Sequence, residues 1–181
     1  IFVNRPNGYI DLGTYNAVNQ LRQLVLFLPD SAGKISIPKL ANTYGNGDYV
    51  NFKKTIIFTF LINLILSVSS ACFVYVFSFM FKDLIGAKYA INNDLIVLVL
   101  VISVLIALTN AIGYIFICSK LIWFDFLLRI VWGFSLLAFL FFYGKYNGAY
   151  GYAMSTLCAF AVMLFFQLAI LLYKVKSEDI I

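Results

Sequence analysis

From Ile56 to Phe81 the chain carries not one charged residue, and uncharged apolar runs recur at 95–118 and 151–173. About 20 consecutive apolar residues, coiled as a helix, span the hydrocarbon core of a bilayer. Strands of a membrane barrel alternate polar and apolar residues, so runs this long and continuous exclude sheet. The whole composition agrees: 63% of residues are apolar and 12% charged, with a mean hydropathy of +0.95. Soluble domains are about a quarter charged, so this chain has too few polar side chains to cover a water-facing surface. The expected fold is an all-α integral membrane protein, a bundle of about five transmembrane helices.

Pattern along the chain divides it further. Residues 1–13 read as a polar loop that follows an absent helix. The start Ile-Phe-Val-Asn, with no initiator Met and no signal-peptide pattern, reads as the beginning of a piece of a longer protein, its C-terminal part. Residues 14–40 predict a helix with a polar stripe, kinked where Pro29 removes a backbone donor. Residues 55–81, 95–118, 121–143 and 151–173 predict four clear transmembrane helices, and 174–181 a polar cytoplasmic tail. The connections, 41–54, 82–94, Ser119-Lys120 and 144–150, are short, so neighbouring helices run antiparallel within a single helical bundle.

The 14–40 segment leaves two readings open. Asn16, Asn19, Gln20, Gln23, Asp30 and Lys34 recur at helical spacing, with Leu21, Leu24, Val25, Leu28 and Ile35 filling the rest. Such a helix either spans with its stripe on a watery cavity or lies flat on the membrane surface. If it spans, one side of the membrane receives Lys39, Lys53, Lys54, Lys120, Lys174 and Lys176, and the other Arg5, Lys82, Lys88 and Lys145. The positive-inside rule then puts the 41–54 loop and the C-terminus in the cytoplasm.

Charges inside predicted spans are where function would be sought, because each costs about 2.5–3.5 kcal/mol at the bilayer centre. Asp30 and Lys34 are four apart and positioned to pair. Arg22 lies near the same side and, with Asn19 and Gln23, would extend a polar wall. Asp125 and Arg129 repeat the four-residue spacing, although snorkelling to the headgroups also explains Arg129. Asn63, Thr109, Asn110 and Gln167 are suited to hydrogen bonds between helices, and Trp123 and Trp132 to interface anchoring. The chain has no histidine, and Cys72, Cys118 and Cys158 form no metal-ligand pattern. No catalytic constellation, cofactor motif or metal spacing is present, so an enzyme is not expected. The net charge of +5 is scattered over loops, without the basic runs of a nucleic-acid binder.

Several patches, in order, resemble the C-terminal half of polysaccharide exporters, the O-antigen and capsule repeat-unit flippases of the multidrug/oligosaccharidyl-lipid/polysaccharide exporter superfamily. Leu12-Gly13-Thr14-Tyr15-Asn16-Ala17 resembles the opening of a family helix, and Ile35-Ser36-Ile37-Pro38-Lys39-Leu40 its proline-containing end. Ile85-Gly86-Ala87-Lys88-Tyr89 resembles an outer loop. Cys118-Ser119-Lys120 is similar to a small-Gly-Lys turn with Ser119 in place of Gly, and Gly144-x-x-x-Gly148-Ala149 to the loop before the last helix. The resemblance implies half of a two-bundle transporter in a bacterial inner membrane, working by alternating access with its N-terminal half. It implies that 14–40 spans and lines the cavity, and that the passenger is a pyrophosphate-linked, lipid-borne oligosaccharide. The candidate cavity residues are Arg22, Lys34, Asp30, Gln23, Asn19 and Arg129. A cation-coupled drug exporter of the same superfamily would favour acidic over basic cavity residues. A membrane-embedded polysaccharide polymerase would carry a larger external loop than 41–54. A non-catalytic membrane subunit is the remaining alternative.

Overall fold

A computed structural model describes residues 8–85, 93–143 and 148–176. They form five helices: α1 (Gly8–Gly45), α2 (Tyr49–Ile85), α3 (Asn93–Cys118), α4 (Ile122–Tyr143) and α5 (Gly148–Lys176). There is no strand among the described residues. The loop patterns around Gly86 and Gly144 and the end of the tail lie outside them.

Four of the helices, α2 to α5, are long and apolar enough to cross a membrane, and so fit a multi-pass membrane protein. α1 is long enough but carries Asp11, Arg22, Asp30, Lys34 and Lys39. Residues 8–13, expected as loop, are already helical. α1 then runs through Pro29 and Pro38 to Gly45 without interruption. α2 also begins early, at Tyr49. Asp48 stands just before it, with one carboxylate oxygen accepting the Asn51 backbone N–H (3.2 Å) and the other the Asn51 side-chain amide (2.7 Å). This is an N-cap that a reading by hydropathy passes over. The Asn51 side-chain bond, then its backbone bond, hold the Asp48 carboxyl below its ordinary pKa.

α3 is the central element. It packs against all four other helices, whereas α1 and α4 do not touch. Two apolar cores stack along the bundle. One gathers Val18, Leu21 and Val25 of α1 with Val74, Leu95, Ile96, Val99 and Ala153. The other gathers Leu40, Phe52, Ile56, Ile112, Ile115, Phe116, Leu128 and Leu171. α1 therefore runs antiparallel to α2 and parallel to α3 along most of its length. The partners Asp30 with Asn110 and Ile37 with Cys118, offset by 80 and 81 residues, follow this parallel course. Tyr114 fits against α1 only because Gly33 has no side chain: a Cβ there would overlap the Tyr114 ring.

The outer faces are apolar. Ile57, Phe58 and Ile65 of α2, Trp123, Phe134, Leu137 and Phe141 of α4, and Phe165 and Leu172 of α5 are all exposed. A soluble monomer rarely presents contiguous apolar surface on this scale. Polar groups are set among the apolar cores: Thr59, Asn63, Ser67, Ser103, Thr109, Ser155 and Gln167 are buried. Most of these hydroxyls donate to a carbonyl three or four residues back on their own helix, as Ser103 does to Val99 (2.7 Å) and Ser155 to Gly151 (2.8 Å). A polar group so satisfied carries little penalty for burial.

Candidate functional site

The polar side chains that cross between helices collect on one side of α3, where α1 and α4 flank it without meeting. On α1, at 100° per residue, Lys34, Gln23, Asp30, Asn19 and Arg22 occupy an arc of roughly 120°. One edge of that arc is open: Asn16, Gln20, Gln23 and Lys34 are exposed. The other edge turns inward, where Tyr15 meets Tyr152 of α5 edge to face, with ring centroids 4.5 Å apart. Tyr15 also lies within electrostatic reach of Arg22 and beside Thr156.

Two atoms on this inward edge lack partners. Arg22 Nε and Asn19 Oδ1 are buried and make no hydrogen bond. Arg22 also forms no ion pair with any described residue. An unpaired polar group shielded from water costs about 1–3 kcal/mol, more when it is charged. Arg22 Nε lacks an acceptor and Asn19 Oδ1 lacks a donor.

Asp30 is placed differently from the sequence expectation. Its Oδ1 accepts the side-chain amide of Asn110 on α3 at 3.2 Å, and it makes no ion pair with Lys34. Lys34 sits on the open face of α1 while Asp30 turns toward α3. An exposed pair at this spacing is worth only about 0.3–0.5 kcal/mol, too little to hold a flexible lysine against a partly buried interhelical bond. Tyr114 of α3 stands within electrostatic reach of both Asp30 and Arg129. It thus lies between the charged residues of α1 and α4.

On α4 the charges point inward. Arg129 Nε donates to Asp125 Oδ2 at 2.8 Å; the Arg129 side chain is 53% exposed and that of Asp125 8%. Gln167 Nε2 of α5 reaches Asp125 Oδ1 (3.2 Å) and the Thr109 carbonyl (3.4 Å). A Cβ on Gly113 would stand 3.3 Å from Arg129 Nη2, so the guanidinium rests against the backbone of α3. Arg129 is thus half exposed and bonded within its own helix, while Asp125 ties α4 to α5 through Gln167.

Of the candidates named from sequence, Arg22 and Asn19 come together, Asp30 and Arg129 lie within electrostatic reach of Tyr114, and Gln23 and Lys34 remain on the open face. Asn110 and Gln167 do link helices, whereas the Asn63 amide donates to Thr59 O on its own helix (2.8 Å). Tyr15, Tyr114 and Tyr152 were missed as site residues. Among the chain's 12 tyrosines the only local mark on two of these is helical spacing from a polar or charged residue, four residues from Tyr114 to Asn110 and seven from Tyr15 to Arg22. No protein-family model matches the chain, and neither a curated protein nor a solved structure does.

Proposed function

We propose that this chain is one bundle of a membrane transporter that flips a lipid-linked oligosaccharide repeat unit across the bacterial cytoplasmic membrane for surface polysaccharide synthesis. The observation that carries this reading is Arg22, a cation with a buried, unpartnered Nε beside the unpartnered Asn19 Oδ1, on a helix packed into an apolar bundle. The pyrophosphate of a lipid-linked sugar offers acceptor oxygens and charge to an arginine fork, and its sugar hydroxyls offer donors to Asn19.

The parallel packing of α1 on α3 supports α1 as a fifth span. α3 is the most apolar of the helices, and a segment laid along it crosses wherever it crosses. α1, at 38 residues, is about 57 Å long, ample for a hydrocarbon core of about 30 Å. Its open arc, from Asn16 to Lys34, would then face the second bundle and close a hydrated cavity, with alternating access by rocking of the two halves. The core around Leu40, Phe52, Phe116 and Leu171 gathers Lys39, Lys53, Lys54, Lys120 and Lys174 at one end of the bundle, which supports that end as cytoplasmic.

The carboxylates speak against a cation-coupled drug exporter, since Asp125 is neutralised by Arg129 and Asp30 is engaged by Asn110. In the full-length protein, Arg22→Ala and Lys34→Ala should each lower surface polysaccharide about tenfold, the loss expected for one phosphate contact. Membrane protein levels should stay unchanged. Normal polysaccharide in both variants would overturn the proposal.

A further inference from the structure

At the lysine-rich end of the bundle, the last turns of α1 and the first turns of α2 enclose a cleft of about 480 Å³ lined by Lys39, Thr43, Asn51, Lys54, Thr55 and Phe58. None of the candidate residues Asn19, Arg22, Gln23, Asp30, Lys34 and Arg129 lines it. We propose that this cleft binds the anionic, phosphate-bearing headgroup of a membrane lipid.

The two cations are the first argument. Lys39 and Lys54 come from different helices to one cleft, and neither forms an ion pair with a described residue. Asp48 feels the charge of Lys54 but forms no ion pair with it, and its oxygens accept from Asn51. The hydroxyls are also spoken for. Thr43 donates to the Lys39 carbonyl (2.9 Å) and Thr55 to the Asn51 carbonyl (2.8 Å), leaving their oxygens as acceptors. The donors left to the cleft are the two ammonium groups and the second N–H of the Asn51 amide, a set that takes an anion.

Position is the second argument. Lys54 is the last charge before the uncharged run that continues to Phe81. Phe58, one turn on, is 56% exposed, and Ile57 beside it 59%. The Lys39 Nζ lies over the Phe58 ring, 5.8 Å from its centroid. A charged head thus meets two lysines while its acyl chains continue along Phe58 and Ile57. A free phosphate would gain nothing from those apolar neighbours. A choline headgroup would be repelled by both ammonium groups and would compete with Lys39 for the ring. Basic clefts between helices at a membrane surface are suited to anionic headgroups, at about 1 kcal/mol per lysine.

The proposal requires the chain to be membrane-embedded but not to transport anything, so it stands or falls separately from the flippase reading. The test uses the full-length protein in nanodiscs of equal phosphatidylglycerol and phosphatidylcholine, with native mass spectrometry of the lipids that stay bound after transfer to detergent. The unmodified protein should retain phosphatidylglycerol over phosphatidylcholine, and Lys39→Gln and Lys54→Gln should each cut that preference about fivefold. Lys120→Gln, at the same end but outside the cleft, should leave it unchanged. No preference in the unmodified protein, which needs no variant to fold, would overturn the proposal. So would a preference untouched by either substitution, or equally reduced by Lys120→Gln. Displacement of the lipid by millimolar inorganic phosphate would assign the cleft to free phosphate and overturn the lipid assignment.

Discussion

Lys120 adopts φ 60°, the left-handed region, and among the described residues it is the non-glycine that does so. It stands in the turn between α3 and α4, where the Leu121 N–H reaches back to the Phe116 carbonyl at 2.9 Å. That bond and the left-handed residue before it form a Schellman cap, and Leu121 packs into the core that holds Phe116. Glycine suits this position, since any side chain in the left-handed region costs about 1 kcal/mol. Lys120→Gly should therefore raise stability by about 0.5–1 kcal/mol, read as a higher midpoint of thermal unfolding in detergent; an unchanged or lower midpoint would count against the cap. The sequence announced a tight connection at Ser119-Lys120 but not its conformation, because the residue that glycine usually marks is a lysine here. Partners separated along the chain were equally illegible. Asn110 and Gln167 could be read as interhelical donors, yet their acceptors, Asp30 and Asp125, lie 80 and 42 residues away. Only tertiary packing chooses among the carboxylates available.

At the level of helices, α4 is the instructive case. Its fully buried residues are Asp125 and Leu128, and its apolar packing is mainly on α5, where Trp132 meets Phe160 with ring centroids 5.1 Å apart. The bonds from Asp125 to Arg129 and Gln167 add a polar link to that packing. Asp125→Ala leaves the Gln167 amide and the Arg129 guanidinium without their acceptor and should destabilise the bundle by about 1–3 kcal/mol. Arg129→Ala should cost less, since its half-exposed side chain is already partly solvated. Chemical denaturation of the two variants in detergent checks the order, and the reverse order would sink the polar link. Helix existence was legible throughout, because long uncharged runs admit one secondary structure. Helix ends were less so. Hydropathy loses a helix where its residues turn polar, yet Gly8–Leu12 and Tyr49–Lys54 are helical, the second stretch set by the Asp48 cap rather than by greasiness. α1 was ambiguous for a different reason: a polar stripe at helical spacing looks the same on a surface helix as on a spanning one. Its alignment with α3 is information that no periodicity contains.

For the molecule as a whole, apolar side chains cover most of the perimeter as well as the two cores, while hydroxyls and amides are set among the buried residues and one open arc of α1 is polar. On the proposed reading, that arc meets water and the outer face of α4 meets acyl chains. Gln23→Cys and Phe134→Cys, each in a full-length protein whose Cys72, Cys118 and Cys158 have been replaced by serine, separate the two environments. Both positions are exposed in the bundle, Phe134 at 70%. A charged maleimide, whose target is the thiolate, should label Gln23→Cys in intact membranes and leave Phe134→Cys unlabelled until detergent is added. Equal labelling of both would remove the distinction on which the cavity depends.

The offset between Asp30 and its partner has a consequence for biosynthesis. Asn110 is made 80 residues after Asp30, and ribosomes add about 5–20 residues per second, a delay of roughly 4–16 s. Throughout that interval the nascent α1 carries a carboxylate with no amide to receive it. Its lodging beside α3 is thus a late event of assembly, and α1, though emerging ahead of the other four helices, can reach its final neighbours only after α3 has left the ribosome.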